Sequence, residues 1–211
     1  MEVRQLPRGR HRLSREEVSA SQRQRMLEAM ALAVHEKGYT GTAVADVVAG
    51  AGVSRETFYQ HFVDKEACFL AAYEVAVDTM RRTMGDALAG RPADPLARLD
   101  RALRAYLDLL ASERAMARVF LVAVYAAGPQ ALQRRREVQE DFTAVIAGIF
   151  SARSAADRFA CEALLAAISS MVTLRVAAGE FDGLPGLRTP LIALARRLRL
   201  TPAARSRRAT A

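Results

Sequence analysis

Residues 42–66 read TAVADVVAGAGVSRETFYQHFVDKE, and the parsing of this stretch decides the fold. Val44, Val47 and Val48 recur at helical spacing and predict a short helix over 43–51 with one buried stripe. Gly52 ends it, because a glycine just past the last periodic residue takes the left-handed cap that other side chains resist. Ser54 can then cap a second helix that begins at Arg55 and reaches His61. Two short helices joined by a tight glycine-containing turn form the helix-turn-helix pattern, in which the second helix enters the major groove of DNA.

Phe58 and Phe62 are four residues apart and face the core with Val53, which leaves Arg55, Glu56, Thr57, Tyr59, Gln60 and His61 on the outer face. That face can read bases: arginine pairs bidentately with guanine, glutamine pairs with adenine, and a threonine methyl can touch thymine. Tyr59, exposed beside two buried phenylalanines, calls for a polar partner. Thr42 is expected to cap the first helix and Asp64 the next, which places Lys65 in a first turn where its charge and unpaired N–H groups can meet a phosphate.

The run Gly38-Tyr39-Thr40-Gly41-Thr42, followed by Ala51 through Glu66, resembles the DNA-binding domain of the TetR family of bacterial regulators over about residues 20–70. The resemblance implies that Thr42, Tyr59, His61 and Lys65 hold backbone phosphates. It also implies that Arg55, Glu56, Thr57 and Gln60 read or approach bases, with Ser54 setting the start of their helix. A homodimer on an inverted-repeat operator in double-stranded DNA and a small-molecule cavity among the middle helices are implied as well. Neither a cofactor nor a metal is expected.

Working outward, the 211 residues are 51% apolar, enough to bury a core, and apolar positions recur every three or four residues with no convincing strand. The fold class is therefore all-α: an N-terminal three-helix helix-turn-helix domain plus a larger C-terminal helical ligand-binding and dimerisation domain. Expected boundaries are a flexible basic arm over 1–20, the DNA-binding domain over 21–68, the larger domain over 69–200 and a disordered basic tail over 201–211. Helices are predicted over 21–37, 64–85, 95–111, 113–127, 130–151, 155–178 and 187–199.

The formal charge is +8, and Met1 to Arg25 carries seven arginines against three glutamates, which suits a polyanionic partner. Pro7-Arg8-Gly9-Arg10 resembles the AT-hook core, whose arginines lie in a narrow minor groove; a cationic tail giving salt-sensitive nonspecific attraction is the plainer reading. The first 25 residues never reach the apolar core of a signal peptide. The uncharged apolar stretches over 119–128 and 163–174 fall short of the roughly 18 residues of a membrane span, so the expectation is a cytoplasmic protein. Cys68 and Cys161 read as reduced buried thiols.

Candidate lining for an apolar effector is Met80, Met84, Tyr106, Met116, Phe120, Tyr125, Phe142 and Met171, large soft groups with an occasional hydroxyl. Ala160, Ala163, Ala167 and Ser170 are small residues at helical spacing that permit close helix packing and are the expected dimer contacts. Catalysis is not expected, since there is no Gly-x-Ser-x-Gly elbow or Walker sequence and His11, His35 and His61 share no metal-ligand spacing. The alternative is a helical protein-interaction module without specific DNA binding. Activation rather than repression stays open.

Overall fold

A computed structural model describes residues 14–89 and 94–198, and among these residues all regular structure is helical. The order is α1 (Arg15–Gly41), α2 (Val44–Ala51), α3 (Arg55–His61), α4 (Lys65–Ala89), α5 (Pro95–Ser112), α6 (Arg114–Leu121), α7 (Pro129–Phe150), α8 (Ala155–Ala178) and α9 (Arg188–Arg197). Tight 3-10 turns occupy Ala123–Ala126 and Phe181–Leu187.

Helix α1 starts six residues earlier than expected, which shortens the arm. Ser14 Oγ accepts from the Glu17 N–H at 3.1 Å while the Glu17 carboxylate accepts from the Ser14 N–H at 2.7 Å, a reciprocal cap that satisfies two otherwise orphaned donors. The regular part of α1 ends at Gly38, whose φ of +70° lies in the left-handed region. The AT-hook-like tetrapeptide and the basic tail lie outside the described residues.

The N-terminal domain closes over Met26, Met30, Val34, Val47, Phe58, Phe62 and Phe69, all buried. Helix α4 passes without a break through the boundary expected at 68/69, so one rod joins this domain to the larger one. In α5 the buried positions 99, 102, 103, 106, 107 and 110 trace the apolar stripe of an amphipathic helix, with Asp94 capping its start through the Ala97 N–H at 3.0 Å.

The single helix expected over 113–127 is instead α6 plus a 3-10 turn. Val119, Phe120, Leu121, Ala123 and Val124 are all buried, and the backbone leaves the α-helical path at Val122, whose φ is −115°. Cys68 and Cys161 are free and buried, and burial pushes the Cys68 thiol up to about 12.

Candidate nucleic-acid interface

Ser54 fixes where α3 begins. Its Oγ accepts from the Thr57 N–H at 3.0 Å and shares a 2.9 Å hydrogen bond with the Thr57 hydroxyl, while Gly52 turns the chain at φ +60°. Phe58 is fully buried and Phe62 nearly so, which anchors the inner face. Arg55, Glu56, Tyr59 and Gln60 consequently stand exposed on one outer surface, and Thr57 and His61 are half-buried at its edges. The Arg55 guanidinium lies 5.8 Å from the centre of the Tyr59 ring. All six outer-face residues expected from the spacing thus sit on one seven-residue helix with solvent access.

The flanking supports differ from expectation. Thr42 does not cap α2: it is buried, its hydroxyl donates to the Gly38 carbonyl at 2.8 Å, and its N–H donates to the Tyr39 carbonyl at 3.3 Å. With both donors engaged inside the fold, its side chain braces the turn between α1 and α2. The α2 start is capped by Asp46, which accepts from the Ala43 N–H at 2.8 Å and pairs with Lys37 at 2.6 Å. The Lys37 ammonium, and after it the Ala43 N–H, hold the Asp46 carboxyl below the usual carboxylate range.

Asp64 caps α4 as expected, through the Ala67 N–H at 2.7 Å. Lys65 is half-buried; its Nζ donates to the carbonyls of Tyr39 and Thr42, both at 3.0 Å, and lies 4.2 Å from the centre of the Tyr39 ring. An ammonium has three donors, so one remains for a phosphate. Two arginines that the sequence reading passed over also hold this domain: Arg25 donates to the Ala51 carbonyl at the end of α2, and Arg23 lies over the Phe62 ring at 5.4 Å.

The larger domain contains a cavity of about 60 Å³ among α4, α5, α6, α7 and α8. Met84, Tyr106, Phe120 and Phe142 line it, as the sequence suggested. The other four candidates do not. Met80 is packed into the core, and Met116 lines a separate groove of about 450 Å³ between α1, α4 and α6. Tyr125 and Met171 are 55% and 38% exposed. Bulk and softness do not tell an inward position from an outward one on the same helix.

Residues 27–72 match the family model described as bacterial regulatory proteins, tetR family. The chain is 30% identical over 139 residues to the HTH-type transcriptional regulator EthR of Mycolicibacterium smegmatis, covering 64% of this chain and 57% of that protein. It is 32% identical over 88 residues to the HTH-type transcriptional repressor DhaR of a Mycobacterium species, covering 42% of this chain and 44% of that one. Residues 27–72 are thus similar to a TetR-family DNA-binding domain. The chain spans about half the length of these curated relatives. Two solved structures share its fold: a TetR-like regulator from Rhodococcus at 24% identity (TM-score 0.68, covering 88% of this chain and 97% of that one), and FadR from Bacillus subtilis in complex with stearoyl-CoA at 17% identity (TM-score 0.69, covering 81% and 96%).

Two further features lie in the larger domain. Helix α8 has an 18-residue window with mean hydropathy 1.6, long and apolar enough to cross a membrane by length and composition, yet 33% of that window is buried. Cys161, Leu164, Ile168, Val172 and Val176 face the core, while Phe159 and Leu174 stand 71% and 68% exposed on the other side. Of the expected dimer contacts, Ser170 lies on the open face, Ala163 and Ala167 are half-buried, and Ala160 packs against the core. The second feature is Arg135, a buried cation in the cavity wall, which the sequence reading missed.

Proposed function

We propose that the protein is a homodimeric, sequence-specific DNA-binding transcription regulator of the cytoplasm, a repressor released from an inverted-repeat operator by a small, largely apolar effector. The observation that carries this reading is the outer face of α3, where Arg55, Glu56, Tyr59 and Gln60 stand exposed over a phenylalanine anchor. Arg55 and Gln60 are assigned to base edges, Thr57 and Glu56 to their surroundings, and Tyr59, His61 and the remaining Lys65 donor to phosphates. The similarity to EthR, a transcriptional regulator, and to DhaR, a transcriptional repressor, supports the reading as a regulator.

Dimerisation is supported by the apolar outer face of α8, whose Phe159 and Leu174 need cover and whose Ala163 and Ala167 permit close approach of a second helix. A two-fold pair would set two recognition helices about 34–36 Å apart, one turn of DNA. The apolar walls of the cavity support an apolar effector, and FadR of Bacillus subtilis, a neighbour in fold, is described in complex with stearoyl-CoA.

Two elements can carry the signal. Helix α4 runs from Lys65 beside α3 to Met84 in the cavity wall, and α6, whose Phe120 and Leu121 line the cavity, packs against both α1 and α4. A ligand that moves either would change the separation of the recognition helices, opposing DNA by a coupling of about 1–3 kcal/mol.

The reading is tested by selection from a library of random duplexes. Enrichment of an inverted repeat is expected, lost or altered when Arg55 and Gln60 are changed to Ala. Absence of enrichment would make the chain a helical interaction module and move the search for its function to the larger domain.

A further inference from the structure

Arg135 is the only charged side chain buried among the described residues, at 5% exposure. Its guanidinium donates to Ser169 Oγ at 3.1 Å and to the Phe120 carbonyl at 3.5 Å, and it lies 4.7 Å from the centre of the Tyr125 ring. All three partners are neutral. No carboxylate pairs with Arg135 among the described residues, although its neighbour Arg134, less buried, has Glu74 at 2.5 Å and Glu137 at 3.1 Å. A buried cation without an anion is costly, so Arg135, unlike the outer Arg134 with its two glutamates, gains most from a negatively charged partner.

Arg135 stands in the wall of the cavity. Its walls are apolar, with Met84, Leu103, Phe142, Ile146, Leu165 and Ile168 among them, and its polar side chains are Arg135, Gln139, Ser169 and the tyrosine Tyr106. Gln139 Nε2 donates to Ser169 Oγ at 3.3 Å, as Arg135 does, so both lone pairs of that oxygen are taken and its own hydrogen is left to donate. The cluster is therefore rich in N–H and O–H donors and poor in acceptors.

We infer that the effector is an amphipathic carboxylate whose oxygens pair with Arg135 and accept from Ser169 while its apolar body fills the rest of the cavity. This deepens the reading of the cavity as an effector site and rests on it. A single guanidinium suits a monoanion and the fork of a carboxylate; a doubly charged phosphate would call for a second cation, and Arg135 is the only charged group in the wall. The space of about 60 Å³ corresponds to roughly four to six heavy atoms at 10–15 Å³ per water-sized site, which points to a short-chain acid.

The test is calorimetric titration of the full chain at pH 7.5 with butyrate and isobutyrate, each against its neutral counterpart, 1-butanol or isobutanol. The wild type is expected to bind the carboxylate at least tenfold more tightly than the alcohol. Arg135→Met should abolish that preference while still binding the alcohol, and should unfold at a temperature no lower than the wild type, because it removes an uncompensated charge. Arg135→Lys should keep the preference, and Ser169→Ala should weaken carboxylate binding several-fold without affecting the alcohol.

Equal affinity of the wild type for acid and alcohol would overturn the carboxylate assignment and leave the cavity as an effector site. Binding of none of the four probes at millimolar concentration would overturn the cavity reading itself. Unfolding of Arg135→Met, with Arg135→Lys showing no preference for the acid, would make Arg135 a structural tie.

Discussion

Ser54 sets the register of α3 through one side-chain oxygen, and a helix of seven residues has no reserve if its first turn frays. Ser54→Ala should cost about 1 kcal/mol, read as a lowered midpoint of urea unfolding, and should weaken DNA binding as well. Ser54→Asp separates the two effects: the carboxylate caps the helix and restores stability, but it sets a negative charge beside the phosphates and leaves DNA binding weak. If Ser54→Ala unfolded like the wild type, the cap would not be what holds α3.

At this scale the sequence was legible where one residue type has one role. Ser54, Phe58 and the outer face of α3 followed directly from spacing. Thr42 did not, because threonine and the nearby Asp46 can both cap a helix start, and only the position of the Gly38 carbonyl decides that Thr42 turns inward. Lys65 was read as a phosphate contact alone, since its reach to the Tyr39 and Thr42 carbonyls crosses more than 20 residues of sequence.

Among the helices, α4, α5, α7 and α8 were readable from apolar period and from glycine, proline and serine at their ends. What escaped was the content of the stripes. Arg135 lies on the apolar row of α7 with Ala131, Val138, Phe142, Ile146 and Ile149, and an arginine in such a row is the signal that would have marked the cavity. The short final helix, α9, is tied to α5 by Arg188, whose guanidinium donates to both carboxylate oxygens of Asp100 at 2.7 Å.

The Arg188 hydrogen bonds hold the Asp100 carboxyl below its usual value of 3.8. A depressed carboxylate contributes stability that is complete above the unfolded-state value and is lost as pH falls through the folded-state value. Asp100→Asn should therefore destabilise the protein near neutral pH by about 1 kcal/mol or less, the pair being partly exposed, and the difference from the wild type should shrink as pH falls below about 4. A stability gap independent of pH down to 2 would show that the ion pair is not its source.

For the whole molecule, the charge has an uneven address. Of the net +8, residues 1–13 carry +3, Arg91 carries +1 and residues 199–211 carry +4, so residues 14–89 and 94–198 together are neutral. In the proposed reading the net charge at the ends of the chain adds long-range phosphate attraction to the contacts assigned to Tyr59, His61 and Lys65. Removing residues 1–13 should flatten the salt dependence of DNA binding, by about 0.9 in the log–log slope for each arginine that meets a phosphate, and should leave discrimination between sequences intact. An unchanged slope would show that residues 1–13 add no phosphate contact to those assigned to the folded body.

The most direct measurement is the ratio of affinities for the selected inverted repeat and a scrambled duplex, at fixed salt, for the wild type and for Arg55→Ala. The wild type should prefer the repeat by a factor of about 10³ or more, and Arg55→Ala should lose about 1–3 kcal/mol of that preference while keeping its affinity for the scrambled duplex. A wild-type ratio near one, with all binding vanishing as salt rises, would contradict a sequence reader built on α3.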